Sequence, residues 1–195
     1  DKILEERKNP KISKQAKEAN ANLTAGLASL KSSVSALQND KTYTDTGDGQ
    51  SVSDKVVSAM KKYVSDYNDV GSSAKRSTLE SKTAYVANMM SNTSANSNKL
   101  SELGITVNAD GTLQLNDKKL KEVDASKVQE LFSAEDIMSY GSKISSRVEF
   151  ANSGSSSNTT DGTDSTEGTD TEGTNNTTGS SAASLKADGN ALASD

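Results

Sequence analysis

Apolar residues recur at steps of three and four from Ile12 through Ala16, Ala19, Leu23, Leu27, Leu30 and Val34 to Leu37, which is one stripe of an α-helix. The pattern predicts a helix over about 11–39, roughly seven turns long, with Pro10 near its start, where a missing amide proton does no harm. Gly26 lies inside it and weakens it by about 1 kcal/mol relative to Ala, so it marks either a close helix contact or plain tolerance. The turn formers of NDKTYTDTGDGQ, Asn39 to Gln50, end the helix. Ser51 or Ser53 then caps a second helix, 53–70, with Val56, Met60, Tyr63, Tyr67 and Val70 on one face. These two helices are spaced to pair antiparallel.

GSSAKRS, from Gly71, predicts a break or kink before a third helix over 77–102. There Leu79, Val86, Thr93 and Leu100 repeat every seven residues, and Met89, Asn96 and Leu103 do so three residues out of phase. Thr93 and Asn96 are polar lapses in a heptad seam, of the kind that sets register or partner number. A hairpin over about 105–115 follows: Ile105 and Val107 alternate with polar residues, Asp110 and Gly111 supply the turn, and Leu113 and Leu115 alternate again. Such a hairpin is marginal alone in water, so it must pack on the helices or join a sheet supplied by a neighbour. Asn116 or Asp117 caps a short helix, 117–123; others follow at 126–132, with Val128, Leu131 and Phe132, and at 134–150, with Ile137, Tyr140, Ile144 and Val148 on its stripe.

From Ala151 the large apolar residues vanish. Residues 151–183 read as a disordered acidic Ser/Thr/Gly linker, since nothing in them offsets the entropy of folding. Leu185, Ala187 and Leu192 then read as the start of a further helix, 184–195. The fold expected is mainly α: an elongated antiparallel helical bundle or coiled coil over 1–150, with one small β-hairpin and the linker behind it. Because the chain begins with Asp1 instead of Met, it reads as an excerpt of a longer protein.

Composition sharpens this picture. Apolar residues make up 31% and aromatic residues 4%, against about 45–50% apolar in a typical globular domain, so narrow helix seams fit better than a thick core. A net charge of -5 without a basic stripe argues against a nucleic-acid partner. No run approaches the roughly 18 to 20 apolar residues that span a bilayer.

The chain has no Cys, His or Trp, which removes thiolate chemistry and the commonest general base. That leaves only Lys or carboxylate pairings to activate a serine, and no SxxK occurs with its usual companions; the adjacent acids Glu5–Glu6 and Glu135–Asp136 point in different directions if helical. The expectation is a protein that is not an enzyme and needs no cofactor. Thr106, Asn108, Asp110, Gly111 and Asp117 approach the spacing of a calcium loop, but Thr106 is a poor first ligand and the flanks alternate as strands, so a plain hairpin turn is preferred. Met89, Met90, Tyr63 and Tyr67 read first as seam residues and only second as a binding surface.

KYVSDYNDV (62–70), STLESKTAYVANMM (77–90), LSELGITVNADGTLQLNDKKLKEV (100–123) and KVQELFS (127–133) together resemble the carboxy-terminal half of the bacterial flagellar filament cap protein, hook-associated protein 2. That family carries an F-V-x-x-Y-N helix, an S-T-L-R helix, an L-x-x-L-G-I-x-x-x-x-D-G-x-L-x-L-D-x-x-K-L hairpin and helix, and a closing V-x-x-L-F. The resemblance covers roughly residues 52–150 and is most specific from Leu103 to Leu120. LTAGLASLKSSVSALQ (23–38) looks like the family's amino-terminal helix. Asn116 replaces the family's usual Asp, only the loop 42–50 stands where members carry large variable domains, and the acidic segment replaces a terminal coiled coil. The resemblance implies a structural, self-assembling, extracellular protein of the flagellum or cell surface, whose hairpin packs on a helical stalk. Its partners would be its own copies or a flagellin-like protein, met through the seams at Val56–Val70 and Leu79–Leu103. A secreted or surface-attached coiled-coil stalk of a non-flagellar system is the alternative.

Overall fold

Ser13 sets the first boundary. In the structure, a computed structural model describing residues 12–47 and 49–153, its hydroxyl accepts the Ala16 amide at 3.1 Å, and helix α1 spans Lys14–Leu37. Ala19, Leu23, Leu27, Leu30, Val34 and Leu37 are buried. Ile12, predicted on the same stripe, stands before the cap and is exposed. A 3-10 turn at Asp40–Tyr43 closes the far end, where the Thr42 and Tyr43 hydroxyls donate to the α1 carbonyls of Ala36 and Leu37 at 2.7 and 2.6 Å. Those acceptors have no partner within the helix.

Helix α2 spans Val52–Ala74, and Ser51 caps it by accepting the Asp54 amide at 3.1 Å. It runs antiparallel to α1: Asn20 near the start of α1 binds Ser77 and Thr78 just beyond α2, and Gly26 lies under Val70. A Cβ on Gly26 would come within 3.1 Å of Val70 Cγ2, so a close helix contact is the reason for this glycine.

The break expected at Gly71 falls later, after Ala74, because Gly71 is buried in the α2 surface facing Met90. A Cβ at Gly71 would meet Met90 Cε at 3.7 Å, an ordinary contact. Gly71→Ala is therefore expected to raise stability by about 0.5–1 kcal/mol, read as a higher urea midpoint at unchanged slope.

The single third helix expected over 77–102 is two, α3 (Glu80–Ala95) and α4 (Ser97–Glu102). Asn96 divides them: its side-chain amide donates to the Asn92 carbonyl at 2.8 Å, a local bond that competes with the helix ladder. Then come β1 (Ile105–Val107), β2 (Leu113–Leu115), α5 (Asp117–Glu122), α6 (Ala125–Phe132) and α7 (Tyr140–Ser153).

Helix α7 differs from its predicted span at both ends. Ser133–Ser139 is a loop: the Ser133 hydroxyl accepts the amides of Glu135 and Asp136, and the Ser139 and Ser142 hydroxyls donate to the Ser133 carbonyl at 2.6 and 2.9 Å. Ile137, expected on the buried stripe, is 80% exposed in consequence. At the other end the helix continues through 151–153, which composition assigned to the linker, and Ala151 is buried. The predicted linker from 154 to 183, the predicted helix start at 184–195 and residue 11 of the first predicted helix lie outside the described residues.

Among the described residues the fold is thus seven α-helices and one two-stranded antiparallel sheet. Helix α1 packs against α2 and α7, and α7 also packs against α3. Tyr85 of α3 stacks on Phe150 of α7, and Lys82 donates to the Ala151 carbonyl at 2.7 Å, so these two run antiparallel. One contiguous core joins all of them to the hairpin.

Candidate functional site

The turn of the hairpin is built from its own side chains. Strand pairing sets Ile105 opposite Leu115, Thr106 opposite Gln114 and Val107 opposite Leu113. Asp110 Oδ1 accepts both the amide and the hydroxyl of Thr112, at 3.0 and 2.6 Å, and Gly111 has φ +84, the left-handed region that a tight turn requires and Gly enters freely. At the base Gly104 has φ +85, and a Cβ there would lie 3.0 Å from the Asn116 carbonyl oxygen. The Gly104 carbonyl accepts the Asn116 amide at 2.8 Å, while the Asn116 side chain caps α5 through the Lys119 amide at 3.1 Å.

What holds this marginal element in place is Asn68, in the middle of α2. Its side-chain amide donates to the Leu113 carbonyl at 2.9 Å and accepts the Leu113 amide proton at 2.8 Å. A primary amide has the donor and acceptor of a peptide group, so Asn68 pairs with β2 as another strand would. Met90 reaches over Gly111, and Lys75 donates to the Asp110 carbonyl at 3.1 Å. Ile105 and Leu113 are buried beneath, with Val107 and Leu115 half-buried. Below the base, Lys61 pairs with Asp117 and Lys121 with Asp54, tying α5 to α2.

Replacing Asn68 by Leu, of similar size, is expected to destabilise by about 2–3 kcal/mol, because it leaves a donor and an acceptor of Leu113 unmatched. Hydrogen exchange at the Leu113 amide is the direct check. Protection unchanged from the parent protein would refute the clamp.

A second polar feature lies inside the bundle. Thr93, read from sequence as a polar lapse, is fully buried, and its hydroxyl donates to the Met89 carbonyl at 3.0 Å. With that proton committed, Thr93 Oγ1 can only accept from Tyr140 at 3.1 Å, and Tyr140 in turn accepts from Tyr63 at 2.5 Å. The chain Tyr63 to Tyr140 to Thr93 to Met89 thus has one direction. Phe132 packs edge-on to both tyrosine rings, with centroids 5.2 and 5.4 Å away, a favoured aromatic geometry. Burial raises the Tyr63 and Tyr140 hydroxyls well above the usual phenol range and pushes Tyr67, buried beside them, up to about 12.

The remaining seam residues are also inside this one chain. Val56, Met60, Val86, Met89, Leu100 and Leu103 are buried with Tyr63 and Tyr67, and Leu79 is half-buried. A partner must therefore use other surface than the seams at Val56–Val70 and Leu79–Leu103.

The calcium-like residues separate. Asp110 serves its own turn and sits by Lys75, whereas Asp117 pairs with Lys61, and those two lysines are about 21 Å apart along α2 at 1.5 Å per residue. Among the described residues no three acidic side chains group to hold a metal ion. Glu135 and Asp136 sit in the α6–α7 loop, where the Asp136 carboxylate accepts the Met138 amide at 2.8 Å; Glu5 and Glu6 lie outside the described residues. No described helix is long and apolar enough to cross a membrane.

Fold and site together define the class: a mainly helical bundle with a clamped hairpin and a polar chain through its core. Comparison with protein-family models, curated proteins and solved structures gives no match.

Proposed function

We propose that this chain is a structural, non-enzymatic subunit similar to the bacterial flagellar filament cap protein, working outside the cell by self-assembly. One observation carries the reading. In the most specific part of the resemblance, Leu103 to Leu120, the motif residues serve construction. Gly104 and Gly111 turn the chain, Asp110 locks the turn, and Leu103, Ile105, Leu113 and Leu120 are buried. A motif used wholly for shape suits a protein that acts through its shape. Copies of the chain, or a flagellin-like protein, are the partners this reading assigns.

Light scattering on the intact chain across a concentration series tests it, with a rise to a multiple of the monomer mass expected. A monomer at every concentration would overturn self-assembly and favour a secreted or surface-attached stalk of a non-flagellar system.

A further inference from the structure

The four methionines of the chain differ sharply in their access to water. Met60 and Met89 are buried, Met138 stands 67% exposed in the α6–α7 loop, and Met90, on α3, is half-buried. Oxidation of a thioether follows its exposure, so a dissolved oxidant reaches Met138 and Met90 and spares the other two.

Of the two reachable side chains, Met138 spends most of its surface on water. The Met90 sulfur and methyl instead lie between α2 and the hairpin, in the space that two glycines leave open. A Cβ built on Gly71 would meet Met90 Sδ at 3.8 Å and Cε at 3.7 Å, and one built on Gly111 would meet Sδ at 3.9 Å and collide with Cε. Gly71 belongs to α2 and Gly111, with its φ of +84, to the turn, so Met90 joins the turn to the bundle. The hairpin depends on such contacts. Each of its strands has three residues, and a pair of that length does not stand alone in water. Asn68 fixes β2 at Leu113 and Lys75 reaches the Asp110 carbonyl; Met90 supplies the apolar part of the hold on the turn.

We propose that Met90 is a site of reversible oxidation, and that its modification releases the hairpin turn from the bundle. The oxidant is a hydroperoxide. Its O–O bond breaks, one oxygen bonds to Sδ, the sulfur gives up two electrons, and hydrogen peroxide is reduced to water. The product is a polar sulfoxide with one more heavy atom than the thioether. Between Gly71 and Gly111 that oxygen has no room beside the methyl and no water around it, a costly position for a polar group. The side chain therefore turns out to solvent, and the turn loses its cover. Two thiols reverse the step: they end as a disulfide, the oxygen leaves as water, and the thioether is restored. Because Met60 and Met89 stay reduced, the core beneath remains closed and the change is confined to the hairpin.

The test is brief hydrogen peroxide treatment of the intact chain, with peptide mass spectrometry to locate the added oxygen. Hydrogen exchange is then read at the Gly111 amide, which donates to the Asn108 carbonyl at 2.9 Å, and at the Leu113 amide held by Asn68. Both should exchange at least about tenfold faster after oxidation, as local opening requires, with helicity unchanged. The two methionine sulfoxide reductases, one for each sulfoxide epimer, supplied with dithiothreitol should restore the original rates. Two variants separate the sites. In Met138→Leu, which leaves Met90 in place, peroxide should still speed exchange. In Met90→Leu, a swap of similar volume, peroxide should oxidise Met138 and leave the turn unchanged; faster exchange there would assign the effect to Met138 and overturn the proposal. So would a Met90 that stays reduced while Met138 is fully oxidised, or a fully oxidised Met90 with exchange at the turn unaltered.

Discussion

Gly141→Ala is expected to destabilise the bundle by at least about 3 kcal/mol, although replacing Gly by Ala inside a helix ordinarily stabilises by close to 1 kcal/mol. Gly141 lies in the first turn of α7, where the helix crosses the end of α6. A Cβ there would lie 2.5 Å from the Phe132 carbonyl oxygen and 2.6 Å from its Cα. These are backbone atoms, which no rotamer change can move. Either α7 lifts away, exposing Tyr140 and Ile144, or α6 does, exposing Phe132, and both routes open the aromatic cluster. The measurement is the urea midpoint beside that of Gly71→Ala, the same exchange with the opposite expected sign. A Gly141→Ala midpoint equal to that of the parent protein would mean that the two helices do not cross so closely.

Alkaline pH should unfold the protein steeply. In the unfolded chain tyrosines lose their protons near pH 10. In the folded chain Tyr63, Tyr67 and Tyr140 hold theirs to higher pH because burial penalises the phenolate. Above pH 10 the unfolded state therefore binds fewer protons than the native one, so stability present below pH 10 is lost as pH rises toward the folded values. Each buried tyrosine contributes a slope of about 1.4 kcal/mol per pH unit in that window, and three together about 4. A domain stable by about 5–15 kcal/mol loses most of that within two or three units. Tyrosinate absorbance and ellipticity should change together in one narrow transition. Titration of these tyrosines near pH 10 with the helices intact would contradict their burial, and Tyr63→Phe should make the transition shallower.

Much of this fold is legible in the residues. The stripe from Ala19 to Leu37 places one face of α1 correctly, the steps of four and three from Val56 to Val70 do the same for α2, and alternation about Asp110–Gly111 gives the hairpin its register. Apolar periodicity carries that information because burial of a face is what it measures. What it does not carry is polar and distant. Asn68 follows Tyr67 in a helix with nothing local to mark it as the partner of Leu113, 45 positions on. Thr93 breaks a heptad, and its explanation is a hydroxyl 47 residues away. Helix α7 starts later than its apolar stripe predicts because the Ser133 hydroxyl and carbonyl organise a loop that Ile137 alone would not suggest. In each case the deciding interaction joins hydrogen-bonding groups that the fold brings together.

The clamp at Leu113 also bears on how the protein behaves when crowded. A sheet edge with open amide and carbonyl groups is a template on which another chain can lay a strand, and stacks of such strands are the route to amyloid-like aggregates. By filling the outer positions of Leu113, Asn68 acts as a terminating unit for the sheet on that side. Leu at position 68 would then do more than loosen the hairpin: it would uncover a strand edge rich in leucine, open to pairing with the same edge of another molecule.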